Sequence, residues 1–129
     1  MRHFDAAATR AALPFDCPIP ALRALFAGGC QVPARQVLEV AAPGAPAVTS
    51  LVMPAWVPGR AYGVKVVNIA PGNAARGLPG LHSTYLLHDA ATGVPVALVD
   101  GDEITSRRTA AASALAAGWL ARRDARRLL

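Results

Sequence analysis

Ala61-Tyr-Gly-Val-Lys-Val-Val-Asn-Ile-Ala70 sets the chain's only lysine, Lys65, in the middle of one of its most apolar stretches. β-branched residues at this density predict a strand. A strand with an ammonium among valines needs an anion beside it, because an unpaired buried charge is very costly. Two plainer readings stand against that one. The four-carbon stem lets the charge reach water, and Asp100, Asp102 or Glu103 offers a structural ion pair. Scarcity alone means little, since twelve arginines against one lysine reflect an Arg/Ala/Gly/Pro compositional bias. The position of the lysine is what carries information.

On either side of this stretch the pattern is of short apolar runs cut by proline and glycine. Gln36–Val40, Thr49–Met53, Ser83–Leu87 and Val94–Asp100 read as further strands. Ala42–Pro46, Val57–Arg60, Pro71–Asn73 and Ala91–Gly93 read as turns, the last closing a hairpin. Strands on such short links imply a largely antiparallel or mixed sheet and exclude a succession of βαβ units. Pro95 puts its strand at an edge or at a strand start. Helices are expected at both ends of the chain. Asp5 caps one through Leu13, and a second runs from Pro18 or Ile19 to Phe26, with Leu22, Leu25 and Phe26 on its core face. A long Ala-rich helix follows from about Glu103 to Leu120, capped by Asp102, with Trp119 packed inward. Its stripe Ile104, Arg108, Ala111 and Leu115 places Arg108 on the apolar face and leaves Arg107 to solvent. The fold class is therefore α+β, a mixed, largely antiparallel sheet flanked by helices, and 129 residues make one domain.

Composition narrows the function classes. At 53% hydrophobic and 16% charged the chain builds a core. The net charge of +5 comes from arginine and is concentrated in Arg107, Arg108, Arg122, Arg123, Arg126 and Arg127. Nucleic-acid binding is not the expectation, since no aromatics interleave with these arginines; they read as a solvated helix face. Cys17 and Cys30 lack the spacing of a metal knuckle, so no metal is expected, and reduced, partly buried thiols in a cytoplasmic protein are. No apolar run is long enough to span a bilayer.

Three cations invite a joint reading: Arg35 after Val32-Pro33-Ala34, Lys65, and Arg108. Arginine grips a carboxylate as a planar fork and lysine adds a point charge, so together they suit a small carboxylic acid. Val32-Pro-Ala-Arg35, Met53-Pro-Ala-Trp56, Gly63-Val-Lys-Val66, Pro71-Gly-Asn73, Tyr85-Leu-Leu87 with Thr92-Gly93, and above all Asp100-Gly-Asp-Glu-Ile-Thr-Ser-Arg-Arg-Thr-Ala-Ala-Ala-Ser113 run in order along the chain. In these segments it resembles the N-terminal half of the ornithine cyclodeaminase and mu-crystallin family.

The resemblance implies a two-part enzyme. One part is a sheet-and-helix unit that dimerises and holds substrate; the other is a Rossmann domain for NAD or NADP. In the cyclodeaminases hydride leaves the α-carbon of ornithine, the δ-amine closes on the imine, ammonia departs, and hydride returns to give proline. Relatives reduce cyclic imino acids such as pyrroline-2-carboxylate, oxidise alanine or bind thyroid hormone. By matching position, Arg35 and Lys65 would hold the substrate carboxylate. Arg108 would lie between substrate and nicotinamide with Thr109 close by, and Gly80 and Leu81 would fall in a cofactor-contacting stretch. His82 is a further candidate for ligand contact; His88 reads as solvent-facing.

The chain departs from the family pattern at Leu128-Leu129, where the first Rossmann strand would begin, and no Gly-x-Gly-x-x-Gly turn occurs in it. The Rossmann half is therefore expected in cis or in trans. No catalytic residue is expected in this chain, no dinucleotide is expected to bind it alone, and alone it is expected not to turn over substrate. Exposed apolar surface is expected where the missing half would dock. The competing expectation is a non-catalytic dimeric module that binds small carboxylates or serves as a scaffold.

Overall fold

The computed structural model describes residues 1–127, so the Leu128-Leu129 junction lies outside the described residues. The stretch around Lys65 forms β4 (Ala61–Ile69), the centre of a mixed sheet with β1 (Arg2–Phe4), β2 (Gln36–Ala42), β3 (Ala45–Val57), β5 (Leu81–His88) and β6 (Pro95–Asp100). The order across the six-stranded sheet is β1-β6-β5-β4-β3-β2. All neighbours are antiparallel except β1 and β6, which run parallel. The helices are α1 (Ala6–Ala12), α2 (Pro18–Gly28) and α3 (Gly101–Leu120); a 3-10 turn over Pro71–Arg76 links β4 to β5. The α+β architecture expected from the sequence is the one observed.

Local chemistry explains each connection. Gly44 and Gly59 sit at φ 75° and 68°, where the β2–β3 and β3–β4 hairpins reverse. In the β5–β6 turn one oxygen of Asp89 accepts from the Ala91 and Thr92 amides and the Thr92 hydroxyl, at 2.8 to 3.0 Å. Pro54 is tolerated inside β3 because β2 pairs only as far as Gln36 with Val52, leaving no ladder partner for the missing amide. Asp5 caps α1 through the Ala8 amide at 2.8 Å, as its position predicts.

Several boundaries differ from the sequence reading. Strand β1 was not expected: three residues carry no alternation signal, and only pairing with Ala97–Val99 makes them a strand. Pro95 begins β6, the second of the two places expected for it; the strand is internal. The cap of α3 is Asp100, which accepts from the Glu103 amide at 2.8 Å; Asp102 instead accepts from the Ser83 hydroxyl of β5 at 2.7 Å. Phe26 and Trp119 are 69% and 71% exposed and not in the core. They line an apolar groove of about 430 Å³ between α2 and α3, where Arg23 covers the Trp119 ring at 5.2 Å.

The three helices form one layer. α3 packs on β5, β4 and β6, while α1 and α2 pack against α3. Strand alternation therefore puts Ser83, Tyr85, Lys65 and Val67 beneath α3 and turns their sequence neighbours to the other face. Gly101 allows this close seat. A Cβ there would meet the Ser83 hydroxyl at 2.5 Å and the Thr84 amide at 2.7 Å. The opposite face has no helix on it among the described residues, and Leu38, Val40, Val52, Val64, Val66 and Leu86 project from it.

Candidate functional site

Lys65 lies on the covered face, in the row Met53–Lys65–Tyr85–Val99 that crosses four strands. Its ammonium donates to the Thr105 hydroxyl of α3 at 3.1 Å. Among the described residues it makes no ion pair. The acids offered by the plainer reading are committed elsewhere. Asp100 caps α3, Asp102 takes the Ser83 hydroxyl, and Glu103 holds Arg10 and Arg107.

The Lys65 pKa is lowered, first by burial, then by repulsion from Arg108 and from Arg35, with Asp102 opposing. Both guanidinium groups are thus close enough to act on the ammonium. Arg35 directly precedes the β2 pair Gln36–Val52, so the Lys65 row extends toward it. Two strand spacings separate the two cations, about 10 Å between backbones, a gap that two long side chains span. Arg108 stands one helical turn beyond Thr105 and is exposed.

The structure exchanges the two arginines of α3 relative to the sequence reading. Arg107, expected in solvent, has a side chain only 12% exposed. It donates to the Leu13 carbonyl at 2.6 Å and to Glu103 at 3.3 Å, and lies over the Phe15 ring at 4.6 Å. Arg108, expected on the buried stripe, keeps its head in water while Ala111 and Leu115 fill that stripe. The reason is long-range: the Leu13–Phe15 segment passes along the Arg107 flank and covers it.

The remaining candidates fall at varying distances. Thr109 follows Arg108 and is exposed. Gly80 accepts from the Ala70 amide at 2.8 Å at the start of β5, and Leu81 pairs with Ile69. Leu81 sits about 13 Å and Gly80 about 16 Å along the strand from the Lys65 row. His82 is opposite Asn68, on the sheet face away from Lys65, so it does not join the cations. His88 stacks on Tyr62 at 5.0 Å on that same far face, with its Nδ1 buried and unpartnered, and is not the solvent-facing residue expected.

The sequence reading missed two contributors. Thr105 is the direct partner of Lys65, and Tyr85 stands opposite it, its phenol pKa raised by burial. The Tyr85 ring lies across Gly63, where a Cβ would meet the hydroxyl oxygen at 1.8 Å. A glycine two residues before the lysine was the available signal for an aromatic crossing there.

This site can be set beside known proteins. Over 101 residues the chain is 41% identical to the Delta(1)-pyrroline-2-carboxylate reductase of Paracoccus denitrificans, covering 78% of this chain and 32% of that protein. It superposes with a TM-score of 0.82 and 33% identity on the Thermococcus litoralis Delta(1)-pyrroline-2-carboxylate reductase solved with NADH and L-proline, covering 98% of this chain and 40% of the other. Against a lysine cyclodeaminase solved for recognition of L-lysine, L-ornithine and L-2,4-diamino butyric acid, the TM-score is 0.72 at 32% identity, covering 96% of this chain and 39% of the other. The chain thus spans between a third and two-fifths of the length of these relatives. The profile of the ornithine cyclodeaminase/mu-crystallin family matches residues 20–129, and the chain belongs to that family.

Proposed function

We propose that this chain is the carboxylate-holding and self-associating part of an NAD- or NADP-linked protein that acts on small amino or cyclic imino acids. The reaction classes are pyrroline-2-carboxylate reduction and conversion of ornithine to proline with ammonia release. The observation that carries the reading is Lys65: an ammonium under α3, without an acidic partner, repelled by Arg35 and Arg108. A bound carboxylate supplies the missing negative charge. The guanidinium forks of Arg35 and Arg108 can each take a pair of oxygens, and Lys65 adds a directed charge from the floor of the site. Holding the carboxylate from three sides fixes the neighbouring α-carbon, which is what a reaction at that carbon requires of its binding site.

The described residues do not fit a dinucleotide by themselves. Gly28 ends α2 and Gly29 leads into a loop at φ 77°, so neither opens a helix after a strand as a phosphate cradle does. No hydride step is assigned to this chain's side chains. Arg108 and Thr109, exposed on α3, are the residues we place toward a nicotinamide ring when a cofactor-bearing half is present, with Gly80 and Leu81 more remote.

A second copy is proposed on the open face of the sheet. The accessible surface is 9167 Å², against about 6,500 Å² for a compact monomer of 13.3 kDa. That excess is spread over the whole chain; on the open face Leu38 and Val40 are exposed beside half-buried Val64, Val66 and Leu86, apolar chemistry that suits a second copy. Cys17 and Cys30, expected to be partly buried, are both exposed, because neither lies under the helix layer or the sheet; as free thiols they suit a reducing, cytoplasmic setting. Among the described residues no helix is long and apolar enough to cross a membrane.

Calorimetric titration of the 129-residue chain with L-proline tests the reading. Saturable binding that is absent in Lys65→Met supports it; no heat from L-proline or from pyrrole-2-carboxylate overturns it. Sedimentation tests the dimer, which Val64→Lys is expected to dissociate; a wild-type monomer at micromolar concentration would contradict it.

A further inference from the structure

An ammonium on a four-carbon stem is a mobile charge unless something fixes its head. Here the fixing group is a hydroxyl whose own orientation is already decided. Thr105 Oγ1 donates its single proton to the Gly101 carbonyl at 2.7 Å, which leaves its lone pairs for the Lys65 ammonium at 3.1 Å. Gly101 is buried and seated so close to β5 that a Cβ there would meet Ser83 and Thr84. The same turn is tied down by Ser83 on Asp102 and by the Asp100 cap. A chain of contacts therefore runs from the sheet through the first turn of α3 to the head of Lys65. One of the three ammonium protons is used on Thr105, leaving two for an incoming anion.

We propose that Thr105 is a positioning residue. It holds the Lys65 ammonium toward the anion shared with Arg35 and Arg108, and acts on the ligand only through that lysine. This rests on the carboxylate-binding reading above and adds to it a residue that neither charge nor alignment of cations would single out.

The test uses the 129-residue chain and its single lysine, labelled at Cε and Nζ so that one NMR signal reports Lys65. Thr105→Val keeps the branched shape and removes the hydroxyl; Thr105→Ser keeps the hydroxyl. The valine variant is expected to titrate its lysine at lower pH, having lost an acceptor that favours the charged form. It is also expected to bind L-proline about tenfold more weakly. The serine variant is expected to restore both, to within roughly threefold in affinity. A purely structural threonine would change the melting temperature without moving the lysine titration.

If Thr105→Val leaves the titration or the L-proline affinity at the wild-type value, the proposal is wrong. It is equally wrong if Thr105→Ser fails to rescue them. Should the valine variant not fold, Thr105→Ala makes the same comparison. Wild-type protein that binds no L-proline removes the carboxylate reading, and the lysine titration then judges Thr105 alone.

Discussion

Helix α3 carries two charge clusters built from similar parts and put to opposite ends. On one flank Arg10 and Arg107 converge on Glu103, and Arg107 also reaches the Leu13 carbonyl beneath the Phe15 ring. Cation meets acid there, and the cluster staples the α1–α2 connection to the helix. On the other flank Arg108 and Arg35 act on Lys65, whose pKa is lowered first by burial and then by these charges, with Asp102 opposing. A neutralised cluster is finished and adds stability. One left with excess positive charge lowers stability, a cost that a bound anion would relieve.

The contrast can be broken first at the stapled flank. Arg107→Ala leaves the Leu13 carbonyl unpartnered and removes one of the two cations on Glu103, and is expected to cost about 1–3 kcal/mol in chemical denaturation. It should leave L-proline affinity unchanged. At the open flank the signs reverse. Lys65→Met is expected to weaken L-proline binding by roughly 10- to 100-fold, the loss of a hydrogen-bonded charge, while folding stability stays level or rises. A collapse of the fold in Lys65→Met would mean that the lysine completes a structural pair. Gly63→Ala comes next. The new methyl occupies the place of the Tyr85 phenol, and the displaced ring is expected to cost about 1–3 kcal/mol and to disturb the Lys65 environment.

Two pH effects sharpen the comparison at the small end. The Glu103 carboxyl is held below the usual carboxylate range, chiefly by its hydrogen bond from Arg10. Its stabilising share is therefore present above the ordinary glutamate pKa and is lost as pH falls through the lowered value. Lys65 gives a slope of the same sign for the opposite reason, since its charged form is the disfavoured one. With a folded pKa below that of the unfolded chain, the unfolded state binds more protons between the two values. Wild-type stability should therefore rise with pH in that window relative to Lys65→Met. Denaturation curves at stepped pH read both slopes, and a wild-type slope matching that of Lys65→Met would deny any perturbation of the lysine.

Much of the fold was legible because it is written locally. Apolar runs and Pro-Gly turns located β2 to β6, and β4 falls within one residue of the quoted stretch. Misjudged features depend on contacts distant in sequence. Asp100-Gly-Asp102 offers two caps of equal chemistry, and only the Ser83 hydroxyl decides that Asp102 is taken elsewhere. Arg107 and Arg108 were exchanged because periodicity cannot know that residues 13–15 cross that flank of α3. Phe26 and Trp119 looked like core because size and apolarity were the only clues, yet both are open to solvent. Of the three candidate cations, Lys65 was legible as a charge within an apolar strand, whereas Arg108 was expected on the buried stripe and is exposed. Thr105 was not legible, since a hydroxyl in a helix names its partner only once the strand below is known.

The central claim, that Lys65 is a charge kept waiting for a carboxylate, is tested most directly by titrating its single NMR signal with and without L-proline. The expected result is a pKa below the ordinary lysine value in the free protein and a rise on adding L-proline, because the anion favours the charged form. A lysine that titrates at its ordinary value and ignores L-proline would contradict it.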